Sequence, residues 1–135
     1  MRYSAWIGYL TGLRRQDVLN ITLFDCKDIG IRVKEGKTGK KALILWSPEL
    51  KRVIAKATKA RKSEADTRLF QISSSGYDSA WRRAMDNLDE RFQFKDLRAK
   101  HAADFEEQGG KLGHSSRGVT TRHYLRRERK ITPIR

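Results

Sequence analysis

The chain has 135 residues, with 30 Lys and Arg against 16 Asp and Glu, so its formal net charge is +14 at pH 7. This length fits one domain that buries its own core, and the charge favours a polyanionic partner such as nucleic acid. Cys26 is the only cysteine, which excludes an intramolecular disulfide. The apolar run 5–10 is too short to span a membrane or to act as a signal peptide. We therefore expect a cytoplasmic protein that has no membrane partner.

The first half of the chain predicts two helices, a hairpin and a third helix. Apolar residues recur at helical spacing up to Gly12, which suits a helix C-terminus, and a short second helix follows from Arg14. Alternating apolar residues over 28–46, interrupted by the turn sequence 36–40, predict a β-hairpin. Ser-Pro-Glu at 47–49 is typical of a helix start, and an apolar stripe follows it.

The next segment predicts a loop, a short strand and a helix. Residues 61–68 are polar and are interpreted as a loop. Apolar residues within 69–72 indicate a short strand, which the Ser and Gly residues of 73–76 would interrupt. Between Tyr77 and Leu88 the apolar residues return to helical spacing.

Two helices are predicted for the last third of the chain. Asp96 is a candidate N-cap for a helix that Gly109 and Gly110 would end, and a final helix is expected around 119–128. We see neither an internal repeat nor a flexible linker. The sequence therefore predicts one domain over 1–135, mainly α with a small antiparallel β-sheet.

A glycine turn near the beginning of the chain carries an arginine and, three residues later, an acid. The turn is Thr11-Gly12-Leu13, the arginine is Arg14, and the acid is Asp17. Guanidinium groups match pairs of phosphate oxygens and stay charged at working pH. We expect Arg14 to bind phosphate and Asp17 to hold its guanidinium in place.

Three motifs in the basic C-terminal third bear an arginine, a histidine and a tyrosine, in that order. Arg98 ends Lys95–Arg98, His114 lies within Leu112–Ser116, and Tyr124 ends Thr120–Tyr124. A tyrosine beside a general base and positive charge can act as a nucleophile. These groups can attack a phosphodiester without a metal, and the sequence contains neither a metal-ligand cluster nor a complete phosphate-binding P-loop.

Together these motifs resemble the catalytic domain of tyrosine recombinases, the phage integrase family, from about Tyr9 to the C-terminus. The resemblance implies site-specific DNA recombination or integration through a 3′-phosphotyrosyl intermediate, with no cofactor. The catalytic residues that it implies are Arg14, Lys37, Lys95, Arg98, His114 and Tyr124, supported by Asp17. Further DNA contacts are expected from Arg15, Lys40, Lys41, Arg117, Arg122, Arg126 and Arg127.

The resemblance also implies partners. Double-stranded attachment-site DNA is the expected substrate, in a phage or a bacterial host, and the protein would form a homotetramer on DNA and be weakly associated or monomeric without it. Residues 128–135 are a candidate for a C-terminal segment exchanged between subunits. The N-terminal core-binding domain usual in the family is expected to be absent from this chain, which predicts weak DNA binding with poor sequence specificity.

The chain departs from the family pattern in three places. Lys95 stands where the family usually has histidine, which removes a group able to titrate near neutrality. Arg98 and His114 are 16 positions apart, which is shorter than usual, and the spacing from His114 to Tyr124 is one residue longer than the commonest.

Two other functions stay open on the sequence. The first is a DNA-binding remnant of an integrase that no longer cleaves, because of Lys95 and the shortened segment. The second is a type IB topoisomerase, which shares this chemistry but relaxes DNA without exchanging partners. The Leu-Gly-His-Ser-Ser motif at 112–116 favours the integrase.

Overall fold

The computed structural model describes residues 1–109 and 129–135 of the chain. These residues form five α-helices, one 3-10 helix and three strands. In chain order the elements are α1 (Arg2–Thr11), α2 (Arg15–Leu19), the 3-10 helix Leu23–Asp25, β1 (Gly30–Lys34), β2 (Lys41–Leu45), α3 (Pro48–Lys59), α4 (Ser74–Asp86), α5 (Phe94–Glu107) and β3 (Arg129–Ile131). The predicted class, mainly α with a small sheet, is confirmed.

The sheet is mixed and has the strand order β1-β2-β3. The predicted hairpin is confirmed: β1 and β2 are antiparallel, with Ile31 opposite Ile44. The third strand pairs with β2 in parallel, with Lys130 beside Leu43. The sequence did not predict β3, because three residues that include two cations carry no clear strand pattern.

The core lies where α1 meets α2, α3 and α5, and buried residues of the sheet belong to the same cluster. Ile7 and Leu10 of α1 are fully buried, as is Leu50 of α3. The apolar stripe predicted for α3 is buried along its length. Burying side chains of this size stabilises a fold by about 1.5 to 3 kcal/mol each. Since α1 packs against α2, α3 and α5, it is the central helix of the domain.

Three predicted boundaries are confirmed by their hydrogen bonds or backbone angles. Gly12 ends α1 with a positive φ of 68°, and its N–H donates to the carbonyl oxygen of Gly8 at 2.9 Å. The hydroxyl of Ser47 accepts from the amide of Leu50 at 3.2 Å, as an N-cap does. After α5, Gly109 again takes a positive φ, of 75°.

The short strand predicted over 69–72 is wrong. The structure has only an isolated bridge between Thr22 and Arg68, next to a hydrogen bond from the amide of Leu69 to Ile21 at 2.8 Å. The chain then turns, because the side chain of Gln71 bonds to the backbone of the preceding loop, including the carbonyl of Asp66 at 2.9 Å. That local bonding replaces a strand ladder.

Two predicted helix starts are displaced. Ser73 does not interrupt the chain but is the N-cap of α4, since its hydroxyl accepts from the amide of Gly76 at 3.0 Å. Asp96 is not the N-cap of α5. That helix begins at Phe94 after the N-cap Gln93, and Asp96 accepts from the amide of Gln93 at 2.7 Å to complete a capping box.

The C-terminal residues pack on α1 of the same chain. The amide of Ile134 donates to the carbonyl oxygen of Leu10 at 3.2 Å, and the side chain of Ile134 is buried. The guanidinium of Arg135 lies 6.0 Å from the ring centre of Trp6 and 5.6 Å from that of Tyr9. The last residues are therefore part of the folded domain. The predicted final helix around 119–128 lies outside the described residues.

Within 1–109 and 129–135, the structure contains no helix whose length and apolar character would let it cross a membrane.

A basic cleft between α2, α4 and α5

The turn at Gly12 places Arg14 at the start of α2. Gly12 reverses the chain after α1, buried Leu13 anchors the turn, and Arg14 is the extended N-cap residue of α2. The side chain of Arg14 is 35% exposed and its Nη1 lies 3.5 Å from Oε2 of Glu35. The guanidinium is therefore placed by backbone geometry and still reaches solvent.

Arg98 reaches the same turn from α5. Its Nε donates to the carbonyl oxygen of Gly12 at 2.8 Å, and this bond does not use the two terminal nitrogens of the guanidinium. Burial lowers the pKa of Arg98, the charge of Arg14 lowers it further, and Asp17 and Glu35 raise it. A guanidinium stays protonated at neutral pH despite such a shift. Two cations thus lie close together and partly out of water, which favours an anion between them.

His101, which lies three residues after Arg98 on α5, bonds to the last residues of α1, just before the Gly12 turn. Its Nδ1 lies 2.7 Å from the carbonyl oxygen of Tyr9, and since a carbonyl only accepts, Nδ1 carries the hydrogen. The ring is buried and stacks on Phe105 at 5.9 Å. Burial lowers the pKa of His101, so the neutral ring is favoured. Sequence reasoning missed this residue, although its spacing of three from Arg98 places both on one helix face.

Two carboxylates connect this region to the β-hairpin. Asp17 is only 3% exposed, and its Oδ1 accepts from the amide of Gly36 at 3.0 Å. Its Oδ2 has no hydrogen-bond partner within the described residues. We expected Asp17 to hold the guanidinium of Arg14, but the ion pair of Arg14 is with Glu35 instead. Both acids therefore join α2 to the hairpin.

A cleft of about 430 Å³ opens beside these arginines. Its lining residues are Arg14, Arg15, Tyr77, Asp78, Trp81, Gln93, Phe94, Lys95 and Arg98. Four of them are cationic and one is anionic, so the cleft attracts anions. The anion, Asp78, forms an ion pair with Arg15, whose Nη2 also donates to Ser74 at 3.2 Å.

The structure brings together part of the predicted site. Arg14, Lys95 and Arg98 line the cleft, and so does Arg15. Lys37, Lys40 and Lys41 are exposed on the hairpin and are not among the described lining residues. The remaining predicted site residues lie outside the described residues: His114, Tyr124, Arg117, Arg122, Arg126 and Arg127.

The described part of the chain contains no group of three or more His, Cys, Asp or Glu side chains that could hold a metal ion.

The architecture is similar to that of a solved structure, the lambda integrase catalytic core. The TM-score is 0.59 and the sequences are 22% identical, over 79% of this chain and 74% of that one. This chain has the fold of an integrase catalytic core. The resemblance inferred from the sequence motifs is therefore confirmed at the level of the fold. No family model matches the sequence, and no curated protein matches it.

Proposed function

We propose that this chain is the catalytic domain of a tyrosine recombinase, which cuts and rejoins DNA strands through a covalent phosphotyrosine. The observation that carries the proposal is the joint placement of Arg14 and Arg98 at one turn, in a basic cleft, within an integrase fold. Guanidinium groups match the non-bridging oxygens of a phosphate, and both of these line the same cleft.

Strand cleavage starts when the phenolic oxygen of Tyr124 attacks the scissile phosphorus. A bond forms between that oxygen and phosphorus while the bond from phosphorus to the 5′-oxygen breaks. His114 takes the phenolic proton, and Lys37 gives a proton to the departing 5′-oxygen. Arg14 and Arg98 neutralise the charge that accumulates on the non-bridging oxygens, which is typically the largest catalytic effect at such a site.

Rejoining reverses these steps with another strand. The 5′-hydroxyl of a partner strand attacks the phosphotyrosine, and the oxygen of Tyr124 leaves and regains its proton. One phosphoester bond is exchanged for another at each step, so the reaction needs neither ATP nor another energy source.

The partners follow from this reaction. Exchange of strands requires two duplex attachment sites and several active sites, so a homotetramer on DNA in the bacterial cytoplasm is the proposed working form. Within the proposed exchange segment 128–135, β3 pairs with β2 and Ile134 bonds to Leu10 of the same chain. Exchange of that segment between subunits is part of the proposal.

A DNA-binding protein that no longer cleaves is the second candidate, and Lys95 favours it. The residue lines the cleft and is exposed on the first turn of α5. A lysine ammonium can donate hydrogen bonds to phosphate but has no acceptor atom, whereas a neutral imidazole has one donor and one acceptor. Binding would then survive without catalysis.

A covalent trap separates these two functions. The protein is mixed with nicked duplexes of randomised sequence, denatured, and separated on a gel that reveals protein-linked DNA. A recombinase yields an adduct that Tyr124→Phe abolishes, since that change removes only the nucleophilic oxygen. Salt-sensitive DNA binding without an adduct supports the binding protein and contradicts the recombinase.

A further inference from the structure

Glu35 is a charged residue of the site that the sequence motifs did not single out. It lies between β1 and the turn of the hairpin, and its side chain is only 18% exposed. Its Oε2 accepts a hydrogen bond from the hydroxyl of Thr38 at 2.8 Å and lies 3.5 Å from Nη1 of Arg14. One carboxylate oxygen therefore contacts both the hairpin turn and the arginine of the cleft.

The backbone of Glu35 also closes the turn. Its amide donates to the carbonyl oxygen of Lys40 at 2.9 Å, and its carbonyl oxygen accepts from the amide of Gly39 at 2.7 Å. The amide of Lys40 in turn donates to the hydroxyl of Thr38 at 3.3 Å. The residues Gly36–Lys40, which we name the lysine loop, thus have a defined shape although all of them are exposed.

Lys37 lies between the two points at which carboxylates hold this loop. On one side Gly36 donates to Asp17, and on the other side Thr38 donates to Glu35. Asp17 belongs to α2, which Arg14 precedes, and Glu35 contacts Arg14 itself. Two sets of contacts, one through Asp17 and one through Glu35, therefore connect the position of Lys37 to that of Arg14.

The contribution of the Glu35–Arg14 pair to folding stability is small. Ion pairs that are partly exposed typically contribute 0 to about 1 kcal/mol, because solvent screens them and ordering two side chains costs entropy. A displacement of about 1 Å at a reacting group, by contrast, can reduce a rate about 100-fold. This contact therefore matters more for the placement of the reacting groups than for the stability of the fold.

We propose that Glu35 is a positioning residue that fastens the lysine loop to Arg14, so that a phosphate bound by Arg14 meets Lys37 at its leaving oxygen. The proposal rests on the proposed recombinase function. Arg14 can keep this contact while it binds DNA, because a guanidinium has five N–H donors and a phosphate uses two of them. Glu35 touches neither DNA nor the reacting atoms, and it acts through Lys37.

The test replaces the leaving oxygen. Nicked duplexes of a sequence recovered from wild-type adducts are made in two forms, with oxygen or with sulfur at the 5′-bridging position of the scissile phosphate. A 5′-thiolate leaves without a proton, since a thiol has a pKa of about 8.5. Single-turnover rates of adduct formation are measured for the wild type, Glu35→Gln and Thr38→Val.

If Glu35→Gln misplaces Lys37, the rate of adduct formation should fall on the oxygen substrate only. Glu35→Gln lowers the rate on the oxygen substrate by at least about tenfold, and on the sulfur substrate its rate stays within about threefold of the wild type. Thr38→Val shows the same pattern with a smaller loss. Glu49→Gln is the matched control, because it removes the same charge from an exposed pair with Arg52 on α3, and its rates equal those of the wild type.

Other outcomes overturn the proposal. An unchanged or faster rate for Glu35→Gln on the oxygen substrate shows that the loop does not depend on Glu35. An equal loss on both substrates shows that Glu35 acts on phosphate binding or on the fold. In either case wild-type cleavage leaves the recombinase function intact. If the wild type forms no adduct with the randomised duplexes from which the substrates are recovered, the function fails and this role fails with it.

Discussion

The two sides of the site are built in different ways. Arg14 and Arg98, the arginine pair, are partly buried and held at the Gly12 turn, where Arg98 bonds directly to the backbone at 2.8 Å. All residues of the lysine loop are exposed, and the loop is held through the side chains of Asp17 and Glu35. Groups that stabilise charge work best when their geometry is fixed beforehand. A proton donor such as Lys37 has to reach the leaving oxygen only when DNA is bound. An exposed loop leaves room for the DNA to approach it.

The strongest test of this contrast compares substitutions on the two sides. Arg98→Ala should lower the rate of adduct formation by about 100- to 1,000-fold, because one stabiliser of the transition-state charge is lost. Lys37→Ala should lower it by about 100- to 10,000-fold, because the leaving oxygen loses its acid. Rates are measured with the nicked duplexes in single turnover.

The sulfur leaving group then distinguishes the two losses. It restores the rate of Lys37→Ala and leaves that of Arg98→Ala low, because only Lys37 supplies a proton. Arg52→Ala serves as a control, since Arg52 lies on α3 and pairs with Glu49 at 2.8 Å. Rescue of Arg98→Ala, or failure to rescue Lys37→Ala, would contradict the roles given to these residues.

Substitution of one glycine on each side of the site compares how tightly the two sides are packed. Gly12 supports the arginine pair and Gly39 lies in the lysine loop, and their φ angles are 68° and 67°. Alanine in this left-handed region costs about 1 to 2 kcal/mol at either position. At Gly12 the added Cβ would lie 2.7 Å from Cδ2 of His101, whereas at Gly39 no atom of the described residues other than its chain neighbours lies within 4 Å.

Gly12→Ala should therefore reduce the free energy of unfolding by about 1 to 3 kcal/mol more than Gly39→Ala does. Urea denaturation followed by circular dichroism measures both variants. Equal losses would show that His101 yields to the new methyl group, and that the Gly12 turn is less tightly packed than the contacts indicate.

A smaller effect is expected from pH. Burial lowers the pKa of His101 in the folded protein, Arg98 lowers it as well, and the bond to Tyr9 and the charge of Asp104 oppose them. Above about pH 6.5, the ordinary pKa of histidine, both the folded and the unfolded chain have a neutral ring. As pH falls below that value the unfolded chain binds the proton first, so stability falls.

Thermal unfolding at pH 7.5 and at pH 5.5 measures this loss. His101→Asn keeps a donor near the carbonyl of Tyr9 but does not titrate, so the variant should lose less stability than the wild type between these two pH values. Its stability at pH 7.5 is expected to be lower, because the stacking on Phe105 is lost. The same decline in both proteins would show that other groups cause it.

Much of the fold could be predicted because its signals are local. Gly12 ends α1, and Ser47 with Pro48 begins α3, because these residue types satisfy the free backbone groups of a helix end. The start of α5 was misplaced because its N-cap is Gln93, which is not among the preferred residues, and Asp96 fits the pattern better than its actual position does.

The site could be predicted only in part, for a similar reason. Arg14 and Arg98 lie in short motifs, so the sequence identifies them without the fold. His101 and Glu35 have no such motif, because their roles depend on bonds to Tyr9 and Thr38 and on the packing of α5 and the hairpin against α1 and α2. Residues that position others are defined by contacts that a linear pattern does not contain.

The most direct measurement identifies the atom of the protein that becomes linked to DNA. Trapped adducts are digested with nuclease and trypsin, and the peptides are analysed by mass spectrometry. The proposed mechanism predicts a nucleotide attached through its 3′-phosphate to Tyr124, in the tryptic peptide 123–126. Attachment to another residue, or DNA binding with no modified peptide, would contradict cleavage by this tyrosine.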